Sequence, residues 1–293
     1  KPYPFRQKIE TSSAPKVEKT NSGYKITAKN SSIMLDENGA LCEWVVKGEN
    51  LIVAPLEPYF WKAMNDNQNA SNLAARTRAW KEAGEKRELQ SADCKTSNGI
   101  VTINYNFILS MGAEYSLSYQ FNNEGEIMVT ADYMPFKESM PLIPKFGMRM
   151  RVPASYNNVD WYGRGPWENY PDRKKSAFIG HYKMPLSEMM TEYVRPQENG
   201  NRCDIRWFEI SSPLNTIKIE GCQPLCIRAW DYGEEDLTVK HPHEITRGKF
   251  VNLNIDLNIH GVAGENTWGG RALDEYTIDG NIQHHYSFIL STK

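Results

Sequence analysis

No stretch of this 293-residue chain approaches the roughly 20 apolar residues that cross a bilayer as a helix, which points to a soluble protein. The opening KPYPFRQKIE lacks the apolar core of a secretory signal, and a first residue of Lys rather than Met points to a fragment or processed form. Positive charge is not in excess. With 34 Lys and Arg against 36 Asp and Glu, the formal net charge is -2, and no basic stripe interrupts the balance. Nucleic acid is therefore not an expected partner. Cysteine is scarce and scattered: Cys42, Cys94, Cys203, Cys222 and Cys226. An odd, widely spaced set does not read as a disulfide framework. Cys222 and Cys226 find no second Cys or His pair to complete a zinc site, so the thiols are expected free and buried. The compartment, cytoplasm or periplasm, stays open.

Signatures of self-contained catalysis are also missing. There is no G-x-S-x-G elbow, and Gly163-Arg164-Gly165-Pro166 is followed by no Lys-Ser/Thr that would make it a phosphate loop. Glycosidic chemistry needs two flanking carboxyl groups, commonly at the strand ends of a βα barrel, yet no βα alternation is present. Glu234-Glu235-Asp236 lies in a Gly-containing turn after Tyr232 and reads as a solvated loop. His241-Pro242-His243 places two imidazoles on one side of an extended segment, but no third ligand follows at a defined spacing. These histidines read as loop or interface residues. With Glu244 they are also the only hint of a proton-transfer pair.

What the chain does contain is strand. Tyr24, Ile26 and Ala28 alternate with polar residues, and residues 33–35 precede the turn Asp36-Glu37-Asn38-Gly39. Residues 100–107, 115–121 and 127–133 alternate again, the last two separated by Asn122-Asn123-Glu124-Gly125. Residues 251–260, VNLNIDLNIH, place Val251, Leu253, Ile255, Leu257 and Ile259 on one face with a period of two. One segment reads as a short helix, residues 71–83, capped by Ser71 and stopped by Gly84, with Leu73, Arg76, Trp80 and Ala83 in a stripe. The 8 Trp and 15 Tyr suit a β fold with aromatic clefts. Residues 1–20 read as a linker or arm and 21–293 as one all-β domain, a large antiparallel sandwich with one short helix.

Two stretches carry a family resemblance: VDWYGRGPWENYPDR at 159–173 and YVRPQENGNRC at 193–203. WKAMNDN (61–67), AWKEAG (79–84) and GVAGENTWG (261–269) follow in the same order. The chain resembles the C-terminal, small-chain region of glycoside hydrolase family 2 β-galactosidases. That resemblance implies a β-supersandwich similar to the galactose mutarotases. It further implies an intact, homo-oligomeric enzyme that hydrolyses terminal β-D-galactosyl residues with retention. Both carboxylates and the metal ions would then belong to a barrel domain absent from this chain. Neither a cofactor nor a metal is expected here; the partners are a β-galactoside and the enzyme's own barrel.

In GPWENYPDR, two prolines and a glycine forbid a regular ladder, and Glu168, Asn169, Asp172 and Arg173 can satisfy the loop's backbone. Arg195, Glu198, Asn199 and Arg202 repeat that vocabulary. Two readings are open for both motifs, polar staples or direct sugar contact, and staples are the simpler. Trp268 follows the alternating strand in a Gly-rich loop, where a large ring is costly to expose unless something covers it. By its place in the motif it looks like the tryptophan that the family reaches into the barrel's site as a sugar platform; interdomain packing is the competing reading. Asp66 and Asn67, in a polar loop that borders the site in the family, and Asn266 are secondary candidates. Two other functions stay open: an aldose mutarotase using His241 or His243 with Glu244, and a carbohydrate-binding or scaffolding module.

Overall fold

The computed structural model describes residues 2–10, 13–136, 139–266 and 268–293. Its first group of strands is β1 (Lys16–Thr20), β2 (Gly23–Thr27), β3 (Ser31–Asp36), β4 (Leu41–Val46), β5 (Glu49–Asn50) and β6 (Ala54–Pro58). The second begins with β7 (Glu88–Ser97), β8 (Ile100–Ile108), β9 (Glu114–Phe121) and β10 (Ile127–Met134). It continues through β11 (Lys145–Pro153), β12 (Asn158–Gly165), β13 (Phe178–Pro185) and β14 (Arg202–Ser211). β15 (Thr216–Trp230), β16 (Phe250–Ile259) and β17 (His284–Thr292) complete it. Neighbouring strands pair antiparallel throughout, and the β6–β11 pairing joins the two groups.

Local chemistry sets the hairpins. Between β3 and β4 the Asp36 carboxylate accepts from the amides of Asn38 and Ala40, both at 2.9 Å, and Gly39 adopts φ 69°. Between β9 and β10, Asn122 accepts from the Glu126 amide at 2.9 Å while Gly125 takes φ 88°. The period of two then sorts side chains. Ile103, Tyr105, Leu117, Tyr119 and Val129 point inward against Ile26, Ile33, Leu35 and Trp44 in one core. Each fully buried aliphatic or aromatic side chain contributes about 1.5–3 kcal/mol.

β15 is where the sheet branches. Ile217–Gly221 pair with β17, whereas Cys226–Trp230 pair with β16, and β14 runs along the other edge. Pro224 stands between the two halves, where no ladder N–H is required.

Two expectations differ from the structure. Residues 71–83 are not one helix. They hold α2 (Leu73–Arg76) and a 3-10 turn over Arg78–Trp80, and a separate helix, α1 (Asp66–Ala70), precedes them. The side-chain cap is Asn65, which exchanges hydrogen bonds with Gln68, and Ser71 only closes α1. Asn72, at φ 56°, then breaks the path. Leu73, Trp80 and Ala83 are buried as the stripe requires, but Arg76 is exposed and Thr77 takes its place. Gly84 is needed because a Cβ there would lie 2.0 Å from the Pro58 carbonyl oxygen. Within residues 1–20, β1 pairs along β2, Ile9 is buried, and Arg6 forms a forked ion pair with Glu126 at 2.6 and 2.7 Å.

Candidate functional site

β16 decides what lies at the centre. Val251, Leu253, Ile255 and Ile259 enter the core, but Asn252, Asn254 and Asp256 on the other face are also fully buried. That face meets a polar layer. Asp256 accepts from Lys145 at 2.5 Å and lies 3.4 Å from Arg228, which bridges to both Glu198 oxygens at 2.6 Å. Glu234 accepts from Arg149, Asn252 and Asn254 at 3.1, 3.0 and 2.8 Å. Three cations thus face three carboxylates, the condition under which buried charge is tolerated.

The electrostatics follow from burial. Loss of water pulls the Lys145 and Lys62 ammonium groups down to about 8 and pushes the Asp256 carboxyl up. Burial also works to raise Glu234, yet Arg149 and Arg228 hold it below the usual carboxylate range. Arg228 is raised in spite of its burial, by Glu198 and Asp256. Glu234 is therefore no solvated loop residue. Glu235 beside it is exposed and pairs with Arg151, and Asp236 accepts from the Gly233 amide.

The signature residues lace loops to this layer. Glu168 accepts from Arg173 at 2.5 Å, from the Tyr193 hydroxyl, and from the Gly200 amide at 2.8 Å. Asn169 accepts from the Cys203 amide at 2.8 Å, and Asn199 from the Thr191 amide at 3.1 Å. Arg202 donates to the carbonyls of Met189 and Gly200 at 3.2 and 2.9 Å. Glu198 also accepts from the Tyr170 hydroxyl at 3.1 Å. Asp172 reaches furthest, its two oxygens accepting from the amides of Val262 and Ala263 at 3.0 and 2.7 Å. It holds the root of the loop that carries Trp268.

That loop rests on α1. Asn65 and Gln68 donate to the carbonyls of Val262 and Gly261 at 2.8 and 2.9 Å. Gly269, at φ 99°, passes Ala70 so closely that a Cβ would sit 3.3 Å from its carbonyl oxygen. The Asn266 side chain is turned inward and accepts from the amides of Trp268 and Gly270 at 2.9 and 3.1 Å, so it shapes the loop. Thr267 lies outside the described residues. Trp268 itself is 92% exposed. Asp66, also exposed, lies 3.5 Å from Arg195 and accepts from Gln197 at 3.3 Å, tying α1 to the second signature loop. The Asn67 side-chain oxygen, Oδ1, is buried without a hydrogen-bond partner.

Two clefts flank this arrangement. One of about 540 Å³ is lined by Tyr59, Trp61, Lys62, Asn69, Arg195 and Glu234. Another, of about 440 Å³, lies between Asp172, Arg173, Gly264 and Arg271. A third, of about 660 Å³ around Tyr115 and His285, includes none of the candidates.

His241 and His243 stack at 5.5 Å on the surface, and Glu244 accepts from the amides of Lys240 and His241. One oxygen of the glutamate thus holds the backbone of this turn. Among the described residues, no group of three or more His, Cys, Asp or Glu is placed to hold a metal, and no helix is long and apolar enough to cross a membrane. Cys203, Cys222 and Cys226 are buried; contrary to expectation, Cys94 is exposed and Cys42 half-buried. The sequence reading missed Asn65, Gln68 and Lys62. Asn three residues before Gln was the available signal.

The family described as beta galactosidase small chain matches residues 27–290. The chain is 27% identical over 278 residues to a beta-galactosidase of Priestia megaterium, covering 94% of this chain and 27% of that protein. It is 29% identical to one from Pseudoalteromonas haloplanktis, covering 94% and 27%. The chain thus spans about a quarter of the length of these relatives. In fold it is similar to galactose 1-epimerase from Lactobacillus acidophilus, with a TM-score of 0.54 at 7% identity over 96% and 97% of the two chains. An aldose epimerase homologue from C. elegans gives 0.51 at 8% identity over 92% and 98%. The fold is the all-β, galactose mutarotase-like one.

Proposed function

The chain belongs to the beta galactosidase small-chain family, and from that premise we propose that it is the sugar-facing domain of a glycoside hydrolase acting on terminal β-D-galactosyl groups such as that of lactose. The two catalytic carboxyl groups and any metal ions come from a (β/α)8 barrel outside this chain, and hydrolysis proceeds with retention through a glycosyl-enzyme intermediate. This domain supplies binding and not bond cleavage.

One observation carries the reading: Trp268 is 92% exposed on a loop braced at its root and flank. Holding a large ring in water on a fixed support is unfavourable unless a ligand or neighbouring domain covers it, and an indole face suits the C–H face of a pyranose. The signature residues act through this loop and are not substrate contacts.

The test uses the parent enzyme. Trp268→Ala should lower kcat/KM on galactosides by about tenfold, roughly 1.4 kcal/mol of lost ring contact, and Trp268→Phe should recover most of it. Wild-type kinetics in Trp268→Ala would refute the platform. The isolated chain, freed of host enzyme, should hydrolyse no nitrophenyl galactoside; turnover by a pure sample would refute the division of labour.

A further inference from the structure

Cys203 and Cys226 lie on adjacent antiparallel strands. Arg202 pairs with Ile227, and Cys203 and Cys226 are the residues next to that pair, where the register begins to shift. Their Sγ atoms are 3.6 Å apart, and both side chains are buried. A disulfide needs about 2.05 Å between sulfurs and Cα atoms within reach across neighbouring strands, so side-chain rotation with slight backbone adjustment closes the remaining gap. The backbone has slack at this point. The β14–β15 register shifts between Arg202 and Ile205, and Asp204 occupies a left-handed φ of 54°.

The pair is not sealed off. A cleft of about 330 Å³ is lined by both cysteines with Lys174, Asp204, Leu257 and Tyr276. Tyr170, Ile259 and Val262 complete the apolar packing around the sulfurs. No metal-binding group of three is formed here among the described residues, so the geometry serves two sulfurs and nothing larger.

We propose that Cys203 and Cys226 are a dithiol modification site that low-molecular-weight disulfides such as oxidised glutathione convert to a cross-strand disulfide. One thiol gives up its proton, and its sulfur attacks the oxidant through the cleft, forming a mixed disulfide and releasing one thiol. The second cysteine, as thiolate, attacks that protein sulfur and expels the other thiol. Two protein thiols are oxidised, one disulfide is reduced to two thiols, and the protons end on the released thiols. Burial raises the Cys203 thiol well above its ordinary range, which makes the site slow to react and selective for prolonged oxidation. The bond would clamp the β14–β15 pair beneath Asn169, whose side chain holds the Cys203 amide, and beside Val262 at the root of the Trp268 loop.

The full chain is incubated with oxidised glutathione at mildly alkaline pH, just below its unfolding onset, then alkylated under denaturing conditions and mapped by mass spectrometry. The expected product is a Cys203–Cys226 linked peptide with a mass loss of about 2 Da, while exposed Cys94 carries glutathione. The cross-linked chain should unfold roughly 5 °C higher, a shift removed by reductant. Cys203→Ala and Cys226→Ala should each abolish that shift. Recovery of both cysteines alkylated after treatment that modifies Cys94 would overturn the proposal, whether or not the alanine variants fold. So would their separate glutathionylation without a link.

Discussion

Between β15 and β16, charged side chains are withdrawn from water and paired with one another. The loop that carries Trp268 does the reverse, holding its backbone with borrowed carboxylate and amide groups and leaving its largest apolar side chain outside. The first region has partners for its charges and no freedom to change them. The second has few internal contacts and a surface free to meet another molecule. Under the proposed platform role, motif richness does not track contact with substrate: Glu168, Asn169, Glu198 and Arg202 hydrogen-bond within the fold, and the exposed indole is the group that role assigns to recognition.

Replacing one member of the buried layer is the most direct way to break this contrast. Arg228→Met leaves Glu198 and Asp256 without their shared cation and should cost about 3–5 kcal/mol in urea unfolding. Arg228→Met with Glu198→Leu should be milder than Arg228→Met alone, because the carboxylate left unpaired is removed along with its partner. If the double variant is the weaker of the two, the layer is not held by mutual pairing.

Acid should come next. His260 is buried and its Nδ1 faces the Gly261 carbonyl at 2.8 Å. Burial lowers it to about 4, helped by Lys62 and opposed by that hydrogen bond and by Asp172. A depressed imidazole means the unfolded chain binds the extra proton first. Stability is then full above about pH 6.5 and falls as the pH drops toward 4, by about 2 kcal/mol at pH 5. Unfolding curves of His260→Gln should lack that decline; an unchanged slope would assign it elsewhere.

Asp172→Asn sharpens the boundary between the regions. One oxygen of the carboxylate becomes an NH2 group facing a backbone N–H, so about 1–2 kcal/mol should be lost. Hydrogen exchange at the amides of Val262 and Ala263 should accelerate while β16 stays protected. Uniform acceleration would mean that loop and layer open as one unit. The smallest effect is expected from Trp268→Ala, within about 0.5 kcal/mol of wild type in stability. A larger loss would return this residue to a packing role.

Much of the β architecture was legible because its signals are local. The alternation of residues 100–107, 115–121 and 127–133 and the turns at Asp36–Gly39 and Asn122–Gly125 each need only neighbouring residues to act. The alternation of β16 was read correctly as a strand and incompletely as an environment. A period of two says that Asn252, Asn254 and Asp256 share a face, but not that Glu234, Lys145 and Arg228, remote in sequence, cover it. Glu234 looked solvated for the same reason. The broken helix failed on local competition: Asn65 and Gln68 cap a turn earlier than Ser71 could, and Asn72 leaves the right-handed path. The loops that carry the candidate residues are tied together by hydrogen bonds that no spacing rule reveals, Asp66 to Arg195 and Gln197 and Asp172 to the amides of Val262 and Ala263.

The position of β17 has a consequence for how the chain reaches this state. It lies between β10 and β15, pairing Ile127 with Leu290 and Ile217 with Thr292. During synthesis, β10 and the first half of β15 must wait for a strand made after both, each with an open edge in the meantime. Such late, distant pairing predicts slow folding and a nascent chain prone to associate through those edges.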